Sequence, residues 1–409
     1  MAARSLPGEP TLSQAPRREP YCGAVPIDFE RLRRERLGRL TASLARSGAD
    51  GLLLLRPSNQ EYAGIRRPCV DAMRVHYEPV TVALTADGEL YVWTPYPDGV
   101  PTDVPAERIR REIDLEYGAG ASRLAADLRA IFGASPRLAI DEVTGPLLEL
   151  THDWMDGGDV TGPARLRKTS DEIACLREAQ RINEDAIVDV QAALRPGVRQ
   201  TELSAILLRR AFELGATSSC VDPIWNLTPR SRVGQTPTTN GDVGFPVATS
   251  DRFLREGDLV MCDTGLTWQG YHSDFGATWV CGDDPKPDAG LQSCFERWRA
   301  VMACVYEGVR PGRTCGDVVG EVTALEPKYK LAHFYLGHGI GCDAAEPPFV
   351  GTDRSREAED RIELQEGMTI VFEPVIWEDG VGGYRSEELV LVTADGCERL
   401  SRHGYAPFQ

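Results

Sequence analysis

Five side chains in the second half of this 409-residue chain have the types and the spacing to hold metal ions: Asp263, Asp274, His338, Glu373 and Glu387. The first two lie in LREGDLVMCDTGLTWQGYHSDFGATWV, residues 254–280, where apolar and β-branched runs flank a short polar turn at Trp268-Gln269. That pattern predicts a β-hairpin. A turn there pairs residues whose numbers sum to 537, so Asp263 faces Asp274. Opposed like charges destabilise a ladder, and two carboxylates sharing one site cannot both ionise cheaply. A divalent cation between them reverses the sign of that cost.

The device occurs twice. Leu364-Gln365-Glu366-Gly367-Met368-Thr369-Ile370-Val371-Phe372-Glu373 matches Leu254-Arg255-Glu256-Gly257-Asp258-Leu259-Val260-Met261-Cys262-Asp263 position by position, 110 residues later. A second turn near Asp379-Gly380-Val381 makes partner numbers sum to 760, so Glu373 faces Glu387. Two such hairpins in register imply an internal duplication that brings four carboxylates to one axis. His338, held between glycines in Gly337-His338-Gly339-Ile340-Gly341, adds an imidazole. Four carboxylates and one imidazole suit a pair of divalent ions such as Mn, Fe, Co or Zn, and not a thiolate structural zinc site.

The elements that must position these groups can be followed from the N-terminus. Apolar residues at helical spacing from Asp28 to Ser47 end at Gly48, and a short buried strand runs from Gly51 to Leu55. Pro57-Ser58-Asn59 reads as a loop. Strands at Pro79–Leu84 and Glu89–Thr94 form a hairpin through Ala86-Asp87-Gly88, followed by a helix at Ser122–Phe132 and a strand at Arg137–Asp141. Helices alternating with strands predict an α/β domain over residues 27–162, after a proline-rich tail of residues 1–26. The boundary is placed near Thr161-Gly162-Pro163, and residues 163–409 form the metal-binding domain.

Within that domain a long helix stripe carries Ile173, Leu176, Ile182, Ala186 and Val190, and a second helix starting at Thr201 carries Leu203, Leu207 and Ala211. Arg195-Pro196-Gly197 ends the first helix. Arg310-Pro311-Gly312 recurs 115 residues later, before a helix capped by Thr314 with Asp317. The duplication therefore includes the helices, and the metal site is expected on a pseudo-twofold axis between two αβ halves.

A formal charge of −17 repels phosphate backbones and anionic bilayers, which argues against nucleic-acid and membrane-surface roles. Eleven cysteines without a CxxC pair suggest reduced thiols in the cytoplasm. Cys262 and Cys342, beside proposed ligands, read as core, and strand alternation turns Cys262 away from the metals. No apolar run approaches the roughly 18 residues of a membrane span.

Taken together, Asp263, Asp274, His338 in GHGIG, Glu373 in FEP and Glu387 in RSEE resemble the creatinase, prolidase, aminopeptidase P and methionine aminopeptidase superfamily, which has the pita-bread fold. The resemblance is strong over residues 165–400 and looser over 28–160. It implies that Asp263 binds one ion, that Asp274 and Glu387 bridge both, and that His338 with Glu373 holds the other. It also implies a two-domain homodimer and hydrolysis of a C–N bond, in an Xaa-Pro peptide or a small molecule, by water activated between the metals.

Two histidines of the family's peptidases have no counterpart. One belongs in the run Gly244–Asp251, and the other falls at Ala345. Candidate replacements for their proton work are Asp343, His333 and His272, with Arg385 orienting Glu387. Tyr384, Trp377 and Tyr335 are candidate substrate-facing aromatics. The dimethylsulfoniopropionate lyases of this fold also lack those histidines, and they resemble this chain around Leu52–Tyr62 and Glu326-Pro327-Lys328-Tyr329. There a carboxylate after the metal histidine is the base for β-elimination, and Asp343 is one residue out of that register. A metal-assisted lyase is thus the alternative function, and a non-catalytic binding module of the same fold is a third.

Overall fold

The computed structural model describes residues 26–66, 80–115, 118–148, 154–228, 230, 249–285, 288–326, 335–351, 357 and 360–407. The segment read as a tail, residues 1–26, lies outside them except for its last residue. Helix α1 (Phe29–Ser47) begins where Asp28 Oδ1 accepts from the backbone N–H groups of Glu30 (3.1 Å) and Arg31 (2.9 Å). It ends at Gly48, whose φ of 74° is left-handed. Strand β1 (Gly51–Leu54) follows. The expected loop at Pro57-Ser58-Asn59 is instead the start of a short helix, α2 (Pro57–Tyr62), because a proline at the first position pre-sets the helical φ and sacrifices no bond.

Strands β2 (Thr81–Thr85) and β3 (Leu90–Trp93) form the predicted hairpin, with β4 (Ile109–Arg110) after it. Then come α3 (Gly118–Phe132), β5 (Leu138–Ile140), α4 (Gly145–Leu148) and β6 (Met155–Asp156). The six strands lie in the order β4-β3-β2-β1-β5-β6. Alternate residues of β1 serve different cores: Leu52 and Leu54 pack with Leu40 and Leu44 of α1, Leu53 with Leu124 and Leu128 of α3. Helix α5 (Gly158–Leu166) runs through Thr161-Gly162-Pro163, so the residues read as a boundary are helical. Its Val160 and Ala164 join the α1 core, and that burial is why the chain does not loosen there.

The first half of the remaining chain comprises α6 (Ser170–Ala193), α7 (Gln200–Glu213), β7 (Ser218–Leu227), β8 (Leu259–Trp268), β9 (Tyr271–His272) and β10 (Phe275–Val280). The second comprises α8 (Ala289–Gly308), α9 (Cys315–Leu325), β11 (Tyr335–Gly339), β12 (Glu346–Gly351), β13 (Thr369–Phe372), β14 (Val375–Glu378), β15 (Gly382–Arg385), β16 (Glu388–Val392) and β17 (Cys397–Arg399). Sheet β10-β8-β7 packs on α6 and α7 through Ile182, Leu207, Cys262 and Phe275. Sheet β12-β11-β13-β16-β17 packs on α8 and α9 through Trp298, Val319, Ile370 and Val390. Each half therefore has a main core, and Leu259 of β8 and Val280 of β10 also join the second one.

Backbone bonds repeat between the halves. Gly197 N donates to Leu254 O (2.9 Å) and Leu254 N to Val198 O (2.8 Å), while Gly312 N donates to Leu364 O (3.3 Å) and Leu364 N to Arg313 O (2.7 Å). Isolated bridges Arg199↔Phe253 and Thr314↔Glu363 repeat too, their first partners 115 residues apart and their second partners 110. The two Arg-Pro-Gly corners are one structural device, each tying a helix start to the strand that leads into a metal-ligand candidate.

Gly197 and Gly312 have φ of 89° and 82°, and a Cβ on either would meet nothing within 4 Å. Their cost of replacement is thus conformational alone. Gly197→Ala and Gly312→Ala should each lose about 1 kcal/mol by the left-handed penalty, and by equal amounts within error in urea unfolding. A neutral result at one corner would contradict their equivalence.

Candidate metal centre

The hairpin carrying Asp263 turns at Gln269-Gly270, with φ of 52° and 78°, and not at Trp268-Gln269. A two-residue turn with both positions left-handed matches the strand twist, and glycine at its second position permits it. Partner numbers therefore sum to 539: Asp263 stands opposite Gly276, and the expected facing of Asp263 and Asp274 is corrected by two residues. Asp274 has the same parity as Gly276 and reaches Asp263 diagonally. The second hairpin keeps its predicted register of 760 on both sides of a break, at Phe372↔Glu388 and Val375↔Arg385, with Glu373 and Glu387 in the gap between.

These registers show which positions correspond in the duplicated frame. Gly276 is the counterpart of Glu387, and Asp274 is the counterpart of Arg385. The counterparts meet where the halves are sewn together. Glu387 N donates to Gly276 O (2.9 Å), Ser386 Oγ to the same oxygen (2.8 Å), and Thr278 Oγ1 to Arg385 O (2.7 Å). A Cβ on Gly276 would stand 2.6 Å from Glu387 Cδ, so only one of the two positions can carry a side chain. Gly276 was not singled out from the sequence; a turn centred on Gln269-Gly270 would have pointed to it.

Carboxylate oxygens of Asp263, Asp274 and Glu387 lie within 4.8 Å of one another, all buried. His338 Nε2 stands 3.3 Å from Asp274 Oδ2 and 3.4 Å from Glu373 Oε1, and its Nδ1 is 2.8 Å from Gly339 O. Since a carbonyl can only accept, Nδ1 carries a proton and Nε2 is the atom turned towards the carboxylates. The structure thus brings all five ligand candidates to one place. Arg385 lies among them, donating from Nη2 to Asp263 Oδ2 (3.1 Å) and from Nε to Glu373 Oε2 (3.1 Å), and forming an ion pair with Glu387.

Burial works against every charge here. It pushes the Asp263 carboxyl up to about 6 and Glu387 well above the carboxylate range, with the neighbouring acids adding to the effect against the pull of Arg385. Glu373 escapes, because Arg385 and His338 overcome its burial and hold it at about 2. His338 is desolvated too, yet hydrogen bonds to Asp274 and Glu373 lift it to about 10. Neither oxygen of Glu387, which is 1% exposed, accepts a hydrogen bond among the described residues. Buried carboxylates that outnumber their cationic partners, in an oxygen-rich set with one imidazole, fit divalent ions of the Mn, Fe, Co or Zn kind.

The other candidates fare differently. Asp343 Oδ2 accepts from Arg165 Nη2 (2.7 Å), so the proposed base is engaged in an ion pair. The ring nitrogens of His272 face Thr267 Oγ1 (2.9 Å) and Cys342 O (3.0 Å), and burial lowers its pKa; it is a neutral imidazole occupied on both sides. Tyr384 is no substrate wall. It is buried against Phe295 and Trp298, ring centroids 5.1 and 5.4 Å away, and donates to Tyr405 O. Trp377 is likewise buried, against Met261 and Val375. Both were expected to face substrate because hairpin position alone does not reveal which side another layer covers.

His333, most of the run 244–251 and most of Glu326-Pro327-Lys328-Tyr329 fall outside the described residues, and of Tyr335 only the backbone, at the start of β11, is described. Ala345 is exposed, and Cys262 and Cys342 are buried in core. Arg165 was missed by sequence reading. It joins Asn59 Oδ1 (2.6 Å), Asp343 and Glu346, while Lys168 Nζ reaches Glu346 Oε1 (2.6 Å). A buried Arg and Lys beside a helix start carry no local signal of a partner some 180 residues away.

Residues 174–394 match the family described as Metallopeptidase family M24. An Xaa-Pro dipeptidase of Pyrococcus furiosus is 28% identical over 247 residues, which are 60% of this chain and 65% of that protein's length. The structure of an Xaa-Pro dipeptidase from Bacillus anthracis superposes with a TM-score of 0.71 at 23% identity, covering 91% of this chain and 99% of that one. Dipeptidase PepE from Mycobacterium ulcerans superposes with a TM-score of 0.72 at 23% identity, covering 93% and 98%. These structures share the fold of this chain.

Gly276→Ala should displace Glu387 and weaken divalent-metal retention by about tenfold or more, as lost ligand orientation does, while the circular dichroism spectrum stays unchanged. Full retention of metal after dialysis would contradict this packing. A second expectation concerns Glu346, which burial would raise but Lys168 and Arg165 hold down at about 2 against a usual 4.5. The unfolded chain takes up that proton more readily, so the stabilisation is complete above pH 4.5 and is lost as the pH falls towards 2. It amounts to about 3 kcal/mol. Glu346→Gln should flatten the acid limb of stability against pH in that window, read by urea midpoints; an unaltered limb would exclude Glu346 as its source.

Proposed function

Because the chain belongs to metallopeptidase family M24, we propose that it is a metal-dependent hydrolase splitting the C–N bond of an Xaa-Pro dipeptide or a similarly small amide. What carries the reading is the cluster of buried carboxylates from Asp263, Asp274 and Glu387, in a chain whose named relatives include Xaa-Pro dipeptidases. Asp263, Asp274, His338, Glu373 and Glu387 would hold two divalent ions, drawn from Mn, Fe, Co or Zn. Such ions, when bound, supply Lewis acidity towards a carbonyl oxygen and acidify water.

The protein's own groups set the stage for that chemistry. Gly339 O fixes the His338 tautomer, so Nε2 faces Asp274 and Glu373 and would be the ring atom offered to a metal ion. Arg385 keeps Glu373 ionised and aligned. The proton for the leaving amine needs another residue. Asp343 and His272 are engaged with Arg165, Thr267 and Cys342, and His333 is our remaining candidate for that work. Ala345 in place of a histidine favours small substrates over long peptides, since one side-chain grip is missing.

The elimination alternative gains no support, because the carboxylate it needs as base, Asp343, is already engaged by the buried Arg165. A binding module would have no use for five filled ligand positions. The dimer and the cytoplasmic setting remain parts of this proposal, the latter suited by the buried free thiols.

The test is a panel of Xaa-Pro dipeptides incubated with metal-loaded protein, alongside dimethylsulfoniopropionate. Proline release is expected, abolished by a chelator and reduced at least about a hundredfold by Asp274→Asn. Absence of proline across the whole panel, or release of dimethyl sulfide instead, would sink the hydrolase reading. A His333→Ala variant with full turnover would remove that residue from the scheme.

A further inference from the structure

The segment from Ile340 to Glu346 follows the ligand candidate His338 and is pinned from three sides. From β13, Thr369 Oγ1 donates to Ile340 O (2.7 Å). From the first hairpin, His272 N donates to Gly341 O (3.1 Å) and the His272 ring meets Cys342 O (3.0 Å). From the α5 end, Arg165 holds Asp343 Oδ2 (2.7 Å) and Glu346, while Lys168 holds the other Glu346 oxygen (2.6 Å). Inside the segment, Gly341 N donates to Asp343 O (3.2 Å).

We propose that Arg165 is a positioning residue for the metal centre, acting through Asp343 and Glu346 on the segment that joins His338 to the Asp274 hairpin. His338 lies two residues before Ile340, and Asp274 lies two residues after His272, so this one segment borders both. The two ligands are themselves within reach of each other, at 3.3 Å from Nε2 to Oδ2. A shift of the segment would part them. The α5 guanidinium is in turn fixed by Asn59 Oδ1 (2.6 Å) and Ser58 Oγ (3.4 Å) of α2, and Asn59 Nδ2 donates to Asp141 Oδ2 (2.8 Å) at the end of β5. The N-terminal layer thereby sets the placement of the ligands without touching the reacting atoms.

The planar fork is what the position requires. Nη1 faces the N-terminal layer and Nη2 faces the segment, and a lysine ammonium cannot span both. Asp343, with its side chain 27% exposed, offers a milder variant at the same joint. This assignment also separates two roles for Asp343. A catalytic base would lower turnover and leave metal binding alone, whereas a member of the clamp would alter both.

The inference rests on the reading of His338 and Asp274 as ligands, and the experiment keeps the two apart. Metal dissociation constants are measured by chelator competition for wild type, Arg165→Lys and Asp343→Asn, together with the visible spectrum of the cobalt-loaded forms and kcat and KM on the dipeptide hydrolysed fastest. Arg165→Lys should weaken metal binding by about tenfold, change the cobalt spectrum and lower kcat more than KM. Asp343→Asn should do the same to a smaller extent, which keeps the test decisive if Arg165→Lys does not fold. Wild-type affinity and spectrum in Asp343→Asn or in folded Arg165→Lys would overturn the inference, even with turnover lost. Wild-type protein that binds no metal would instead overturn the ligand reading, and this inference with it.

Discussion

Four carboxylates taken out of water at one point are the constraint on which the rest of this structure depends. Asp263, Asp274, Glu373 and Glu387 have side chains at most 10% exposed. Burying an unpaired charge costs several kcal/mol after relaxation. Among the described residues, only Arg385 and His338 answer them from within the cluster. Burial is the main upward push on Asp263 and Glu387, and the deficit left by two positive groups against four negative ones adds to it. A pair of divalent cations is the kind of partner that makes such a cluster tolerable.

Holding that cluster together falls to the joint between the halves. Each half has its main apolar core, and a few apolar contacts cross between them, Leu259 and Val280 with the α8–α9 core and Met261 with Trp377, which help fix one sheet against the other. The bonds at Gly276, Thr278, Arg385, Ser386 and Glu387 do so locally. The last residues add a strap: Arg402 N donates to Glu184 of α6 (3.0 Å), Leu389 N to Ser401 Oγ (3.1 Å), and Val280 N to Pro407 O (3.0 Å). One segment thus touches α6, β10 and β16.

Duplication explains the asymmetry of the centre. At the axis, equivalent positions of the two hairpins compete for one volume. The first half supplies glycine at 276 where the second supplies Glu387, and the second supplies Arg385 where the first supplies Asp274. An acid at all four positions would add charge with no room and no counter-ion. Replacing one by glycine and one by arginine relieves both problems.

How much of this was legible in the chain itself follows the range of the interactions. The bounds of α1, the capping box of Thr314 with Asp317 and the 760 register depend on residues within one turn or one hairpin, and they were readable. The acids that cluster and the repeat of their hairpins were readable too, because duplication printed the same pattern twice. A two-residue slip in the first hairpin was not avoided, since the choice of turn rested on Gln269 accepting a left-handed φ. Burial of Tyr384 by Phe295 and Trp298, the pairing of Asp343 with Arg165 and the contact of Gly276 with Glu387 all join residues far apart in sequence. Side-chain chemistry fixed what the centre is made of; only three-dimensional packing decided which of those groups are free to act, because a partner's charge or volume arrives from another part of the chain.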